Sequence, residues 1–150
     1  MINKIFDFFK KTKDDITIEL AATKDISLIF NLIVNGAKHG SFNSEYFENY
    51  THRGLTYQIE TTIMNHEMPI SENKSLKSTI YVLKHNLETV GFSWIRYHDK
   101  DKCERYMGSI VPEKRNQGYY TTLVLGTQKL ISSKYIYADV YHNSNTTYLT

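Results

Sequence analysis

Arg115 and Gly118 lie in a short polar segment that follows a strand-like stretch and leads into an apolar, helical one. Pro112, at the start of this segment, cannot donate to a strand ladder and favours a sharp exit from the strand. Gly118 lets the backbone approach a ligand without a Cβ in the way. The first N–H groups of the following helix lack internal partners and carry the positive end of its dipole. This pattern predicts a binding site for a pyrophosphate, to which Arg115 adds positive charge.

The segment from Ile110 to Tyr120 resembles the acyl-CoA loop of the GNAT superfamily of N-acetyltransferases, whose pattern is Val-x-Pro-Glu-x-Arg-x-x-Gly-x-Gly/Ala. Two positions depart from the pattern: Ile110 replaces the valine, and Tyr120 stands where a small residue is usual. The resemblance implies acetyl-CoA as co-substrate, with no metal, and implies that Ile110 and Val111 bind its pantetheine arm through their backbones. The residues that it implies for the pyrophosphate follow one another along the chain: Arg115, Asn116, Gln117, Gly118, Tyr119 and Tyr120.

Acetyl transfer to an amine requires a proton acceptor for the amine and a proton donor for the leaving thiolate. The resemblance implies that Glu104, on the strand before the loop, is the general base. An ordinary strand glutamate, exposed and facing a lysine or arginine, is the alternative. For the general acid it implies Tyr148, with Tyr141 as second choice, while Asn143 would reach the pantetheine region. Tyr148 is equally interpreted as a core aromatic or a terminal residue.

Hydrophobic periodicity predicts one α/β (α+β) domain in which a mixed, mostly antiparallel central sheet is flanked by helices. Strands are predicted at residues 16–20, 79–84, 90–97, 103–111 and 135–141. Helices are predicted at residues 25–38, 44–65 (with a break at Gly54) and 119–132, the last with Leu123, Val124, Leu125, Leu130 and Ile131 facing inward. Residues 69–77 are predicted to be a polar loop. This order of elements is the one that GNAT domains show through their fifth strand.

Residues 1–14 are set apart from the domain, which we place at residues 15–150. Five apolar residues and several lysines in this segment fit an amphipathic helix on a membrane surface or an arm packed on the domain. The apolar run is too short and too often interrupted for a membrane span or signal peptide, so no stable membrane insertion is expected.

A complete GNAT domain usually continues through a further helix and two strands, and the last residues of this sequence are predicted to form only the beginning of that helix. A last strand without its usual neighbours would present an exposed edge. This predicts a chain that is truncated, that completes its sheet as a homodimer, or that has lost activity. The sequence leaves these three open.

Composition excludes several classes of function. A net charge of +2, with Lys and Arg spread along the chain, does not indicate nucleic acid as a partner. A single cysteine, Cys103, excludes an intrachain disulfide and suits the cytoplasm. The six histidines show no paired spacing typical of a metal site.

Two functions therefore compete. The first is an N-acetyltransferase that moves an acetyl group from acetyl-CoA to a small-molecule or peptide primary amine, by direct attack in a ternary complex. The second is a non-catalytic acyl-CoA-binding or regulatory module of the same fold, since a fold does not determine a function. A third hypothesis is a membrane-associated or interaction protein that uses the aromatic and basic N-terminal segment.

Overall fold

A six-stranded sheet organises the chain, and the computed structural model describes it over residues 15–138. The strands are β1 (Ile16–Leu20), β2 (Glu67–Ser71), β3 (Lys74–His85), β4 (Glu88–Asp99), β5 (Lys102–Ile110) and β6 (Tyr135–Tyr137). The helices are α1 (Ile26–Lys38), α2 (His52–Asn65) and α3 (Tyr119–Leu130). The strand order is β1-β3-β4-β5-β6, and β2 pairs with the first half of β3.

Every described strand pair is antiparallel except β5–β6, which is parallel. The parallel pairing covers three residues of each strand and ends where Glu104 lies beside Tyr137. The α/β fold with a mixed, mostly antiparallel sheet is therefore confirmed.

The two faces of the sheet are covered by different helices. Helices α1 and α2 pack on one face over a core that includes Ile33, Ile59 and Trp94, each fully buried. Helix α3 packs on the other face, where Leu123 contacts a smaller cluster of β3, β4 and β5 side chains. Because successive strand residues point to opposite faces, each strand supplies side chains to both layers.

A β-bulge interrupts the pairing of β4 with β5. Trp94 lies opposite Met107 and Ile95 lies opposite Arg105, so Tyr106 is the extra residue of the longer strand. A bulge bends the strand and increases its twist. Here the extra residue lies two positions after Glu104, the last residue of β5 that pairs with β6.

The predicted polar loop at residues 69–77 is wrong, because these residues form most of the β2–β3 hairpin. Its side chains are largely exposed, so hydrophobic alternation gives no signal there. Pro69 lies on the edge strand β2, where the register of the hairpin shifts, and this is a position at which a sheet tolerates proline.

The predicted break at Gly54 is also wrong. Glu48 is extended, with φ −79° and ψ 135°, and separates the two 3₁₀ turns Ser44–Phe47 and Asn49–Thr51, while Gly54 lies inside the first turn of α2. The Thr51 hydroxyl donates to the carbonyls of Glu45 and Glu48 at 3.1 and 2.8 Å. Such local side-chain bonds compete with helix formation and hold the turns.

Two of the α3 leucines predicted to face inward are exposed, Leu125 by 55% and Leu130 by 54%. The buried stripe runs through Leu123, Thr127 and Ile131, at helical spacing. Thr127 occupies an inner position because its hydroxyl donates to the Leu123 carbonyl at 2.8 Å.

Candidate active site

The loop after β5 turns the chain sharply into α3. Residues Pro112–Lys114 form one 3₁₀ turn, with proline at its first position. Asn116 and Gly118 then adopt left-handed backbone conformations, with φ 62° and 87°. Gly118 is the N-cap of α3 and a Cβ built on it would meet no atom within 4 Å. The N–H groups of the first helical turn therefore lie beside an open, exposed glycine.

One edge of β5 carries backbone groups that point away from β4. The Val111 N–H donates to the Val90 carbonyl at 2.8 Å, which makes Ile110 and Gly91 a non-hydrogen-bonded pair. In an antiparallel ladder the N–H and C=O of such a residue point outward, and so do those of the residue two positions away, Gly108. Within residues 15–138, β6 pairs with β5 only as far as Glu104, so no described strand pairs with the outward backbone groups of Gly108 and Ile110.

The structure separates the two residues predicted for the pantetheine arm. Both backbone groups of Val111 bond within the protein, since its carbonyl also accepts the Lys114 N–H at 3.0 Å. The N–H and C=O of Ile110, in contrast, point away from β4. Its side chain is buried between the sheet and α3.

Arg115 lies along the end of β5. Its Nε donates to the Ile110 carbonyl at 2.8 Å and its Nη2 donates to the Ser109 hydroxyl at 3.2 Å. The guanidinium therefore bridges the loop to the strand edge and occupies the carbonyl that an amide of a ligand would use. Asn116 and Gln117 are exposed, and the Gln117 side chain donates to the Glu113 carbonyl at 3.2 Å.

Tyr120, the residue that departs from the family pattern, fits because β5 has a glycine opposite it. A Cβ on Gly108 would lie 3.4 Å from Cε1 of the Tyr120 ring. Burial raises the pKa of Tyr120, so its phenol stays protonated. Tyr119, one residue earlier, packs against His85 of the β3–β4 hairpin with 5.5 Å between ring centroids. A glycine inside a strand is a signal of close approach, although the sequence does not say by which group.

Glu104 is buried and held by two basic side chains of β4. Its Oε1 accepts from Arg96 Nε at 3.1 Å and from Arg96 Nη2 at 2.7 Å, and lies 2.8 Å from His98 Nε2. The exposed fraction of the side chain is 7% for Glu104, 18% for Arg96 and 31% for His98. We call these three residues the carboxylate cluster. The prediction of an exposed, solvated glutamate is wrong, whereas its arginine partner was anticipated.

A pair of tyrosines extends the carboxylate cluster toward the segment between α1 and α2. The Arg96 guanidinium lies 3.7 Å from the centroid of the Tyr106 ring, on the same face as Glu104. The Tyr106 hydroxyl lies 2.6 Å from that of Tyr46, in the 3₁₀ turn Ser44–Phe47. Burial, with the neighbouring Tyr46 next, strongly raises the pKa of Tyr106. Tyr106 is therefore protonated at neutral pH and holds the turn against the bulge.

Sequence reasoning missed Arg96 and His98, whereas it had named Tyr46, with Glu45 and Tyr50, as a possible part of an amine-binding pocket. Arg96 and His98 come from β4, and only the register of β4 on β5 brings them to Glu104. No local motif carries that register. The one usable signal is the spacing of two residues between Arg96, inside a predicted strand, and His98, one residue past its predicted end.

Of the remaining predictions, Tyr148, Tyr141 and Asn143 lie outside the described residues, as do residues 1–14. Within residues 15–138 no group of three or more His, Cys, Asp or Glu side chains is placed to hold a metal ion. In the same part of the chain no helix combines the length and the apolar character needed to cross a membrane.

An open groove of about 390 Å³ lies between the loop and α1. Its walls are the outer face of α1 with Asn31 and Asn35, the start of β4 with Glu88, and the turn from Val111 to Lys114. The groove borders the loop on the α1 side, and Glu104 is not among its lining residues.

No protein-family model and no curated protein sequence matches the chain. Solved structures do match it. A possible acetyltransferase from Clostridium difficile is 14% identical and superposes with a TM-score of 0.60 over 85% of this chain and 80% of that one. A GNAT family acetyltransferase from Staphylococcus aureus is 12% identical, with a TM-score of 0.55 over 90% of this chain and 93% of that one.

A third match is the PaiA N-acetyltransferase from Thermoplasma acidophilum, solved in complex with coenzyme A. It is 16% identical, and its TM-score is 0.56 over 78% of this chain and 72% of that one. At these identities the similarity is one of fold. The chain has the fold of the GNAT acetyltransferases, which confirms the fold that the loop motif implied.

Proposed function

We propose that the protein is an N-acetyltransferase that moves an acetyl group from acetyl-CoA to a primary amine by direct attack. The observation that carries the proposal is one continuous segment of the chain. An outward-facing strand edge at Gly108 and Ile110 leads through a tight loop to an uncapped helix N-terminus at Gly118. Such an edge offers hydrogen bonds to the amides of a pantetheine arm, and the helix N-terminus offers them to a pyrophosphate.

The fold supports the order in which the ligand would lie. The edge of β5 runs from the loop back past the bulge at Tyr106 to Glu104, where the pairing of β5 with β6 starts. A pantetheine arm that starts at the loop and follows this edge would bring its thioester toward Glu104. Arg115 would then leave the Ile110 carbonyl to the ligand and turn toward the phosphates.

Glu104 is the base in this proposal. The amine nitrogen attacks the thioester carbonyl carbon and gives a proton to the Glu104 carboxylate. The carbon–sulfur bond then breaks, and the sulfur leaves with its electron pair as the CoA thiolate, which takes up a proton. We retain Tyr148 as the proposed donor of that proton and Asn143 as a proposed contact of the pantetheine arm.

The non-catalytic alternative is favoured by one observation. Oε1 of Glu104 already accepts hydrogen bonds from Arg96 and His98. A carboxylate held by an arginine in this way is a common structural ion pair. In this alternative the protein binds acyl-CoA through the same loop and edge, and the carboxylate cluster only fixes β4 to β5.

Calorimetric titration with acetyl-CoA, followed by a CoA-release assay, separates the two functions. The assay would use spermidine, tyramine, an aminoglycoside, a peptide with a free N-terminus and a lysine peptide. We expect micromolar or tighter binding that Gly118→Trp abolishes and Gly54→Trp leaves intact, because Gly54 also faces open space but lies on α2.

Binding together with CoA release for one of these amines supports the transferase. Binding without release for any amine supports the non-catalytic module. If a folded wild-type protein binds neither acetyl-CoA nor CoA, both functions are wrong.

A further inference from the structure

His98 is the most exposed member of the carboxylate cluster, and it touches the one oxygen of Glu104 that Arg96 also holds. Because Glu104 and Arg96 are nearly buried, His98 is the side chain through which the solvent reaches the cluster. Histidine is also the side chain whose charge changes between about pH 5 and 8.

The geometry points to His98 as a positioning residue whose charge controls whether Glu104 acts as a base, an inference that rests on the proposed acetyl transfer. Neutral His98 donates its Nε2–H to Oε1 and, with Arg96, fixes the carboxylate from one side. Oε2 takes no part in these contacts and is the oxygen that receives the proton of the amine. Protonated His98 adds a second positive charge beside the same oxygen.

The groups that face His98 come from three strands. Glu104 on β5 supplies the negative charge, and Arg96 on its own strand supplies a permanent positive charge. Tyr137 on β6 lies beside the imidazole, with 5.9 Å between ring centroids. Lys102 lies over the Tyr137 ring, 4.9 Å from its centroid, and adds a further positive charge to this side.

Protonation of His98 therefore makes a carboxylate with one cationic partner into a carboxylate with two. Each nearby positive charge favours the ionised form of a carboxylate and weakens its tendency to accept a proton. Acetyl transfer is therefore expected to be faster when His98 is neutral than when it is protonated.

The pH dependence of kcat/KM tests this in wild type and in His98→Gln, for the amine that gives turnover. The glutamine amide donates a hydrogen bond to Oε1 but carries no charge at any pH. We expect the ratio of the wild-type rate to the rate of the glutamine variant to fall as the pH is lowered and to level off once His98 is fully protonated. Titration of the amine itself is common to both proteins and cancels in their ratio.

Two further variants identify the cause. His98→Ala removes the donor as well, so it should lose at least about tenfold in kcat, which His98→Gln restores, while both keep the wild-type affinity for CoA. His66→Asn is the control, because His66 is exposed at the end of α2 with φ 58°, a conformation that asparagine accepts. Its pH profile should match that of wild type.

A second measurement needs no turnover. NMR titration of the His98 imidazole in wild type and in Glu104→Gln reports the coupling of the two groups directly. Because His98 Nε2 lies 2.8 Å from Glu104 Oε1, removing the charge of Glu104 should change the titration curve that NMR records for His98. An unchanged titration, or equal acid limbs in wild type and His98→Gln, would overturn the inference. Absence of CoA release by wild type with a shifted NMR titration would instead count against the acetyl transfer alone.

Discussion

The loop after β5 and the carboxylate cluster lie toward the two ends of the same strand, but different kinds of group build them. The loop offers backbone N–H groups, and its residues Asn116, Gln117 and Gly118 are exposed. The carboxylate cluster is made of side chains from β4 and β5 and is nearly closed to solvent. The comparison teaches that the proposed binding end depends on backbone conformation, whereas the proposed reactive end depends on strand register.

The largest effect should come from removing the charge of the base. Glu104→Gln keeps an oxygen that Arg96 and His98 can bind, so the fold should persist. We expect kcat to fall by about 10²–10⁴-fold, the range in which general acid–base groups contribute, with unchanged affinity for CoA. Steady-state kinetics and calorimetry measure both quantities. Glu60→Gln, exposed on α2, is the control. A wild-type kcat in Glu104→Gln would leave the carboxylate cluster with a structural role only.

The second effect tests the ion pair as architecture. Arg96→Met leaves Glu104 charged and buried without its main partner, and breaking a buried pair in this way costs about 3 kcal/mol of the free energy of unfolding. Urea denaturation measures it. The double variant Arg96→Met/Glu104→Gln should recover a large part of the loss, because no unpaired charge remains. If the single and double variants are equally unstable, lost packing on Tyr106 explains the effect better than charge does.

These two regions also differ in how far the sequence predicts them. The loop lies within eleven consecutive residues from Ile110 to Tyr120, so its pattern is visible in the sequence and leads to the fold. Glu104 is also identified by its distance from the loop. Its partners are not, because a one-residue change in the pairing of β4 with β5 would bring other side chains to it. The bulge at Tyr106 is such a change, and no sequence pattern places it.

The elements that sequence analysis missed have a common physical cause. The β2–β3 hairpin is stabilised by backbone pairing of exposed residues, so its strands lack alternation. On α3 the usual order of burial is reversed, because Leu125 is exposed and Thr127 is buried. The Thr127 hydroxyl donates a hydrogen bond to the Leu123 carbonyl within the helix and accepts one from Arg105 Nη1 at 2.7 Å. In both cases hydrogen bonds, not hydrophobicity, decide the structure.

The third effect tests the backbone of the loop with the smallest side chain. Gly118→Ala places a Cβ at φ 87°, which costs about 1–2 kcal/mol in the left-handed region, although space around it is open. We expect the loop to shift and the dissociation constant for CoA to rise about tenfold. Gly54→Ala is the matched control, because it lies in the first turn of α2 with equally open space and should not weaken CoA binding. Calorimetry measures the affinity of both variants for CoA, and equal affinities would contradict the role of the Gly118 backbone.

The smallest effect concerns the hydrogen bond between Tyr46 and Tyr106, beside the carboxylate cluster. Tyr46→Phe keeps the ring but removes one hydroxyl of the Tyr46–Tyr106 pair, whose oxygens lie 2.6 Å apart. Loss of one such bond should lower the free energy of unfolding by about 1 kcal/mol, because the Tyr106 hydroxyl stays behind half-buried. Tyr57→Phe on the exposed side of α2 is the control and should change it by less than about 0.5 kcal/mol. The turn that carries Tyr46 borders the carboxylate cluster and not the loop, so a rise in KM for the amine without a change in CoA affinity would place the acceptor at that turn. Equal changes in both affinities would instead mean that the tyrosine pair supports the whole sheet.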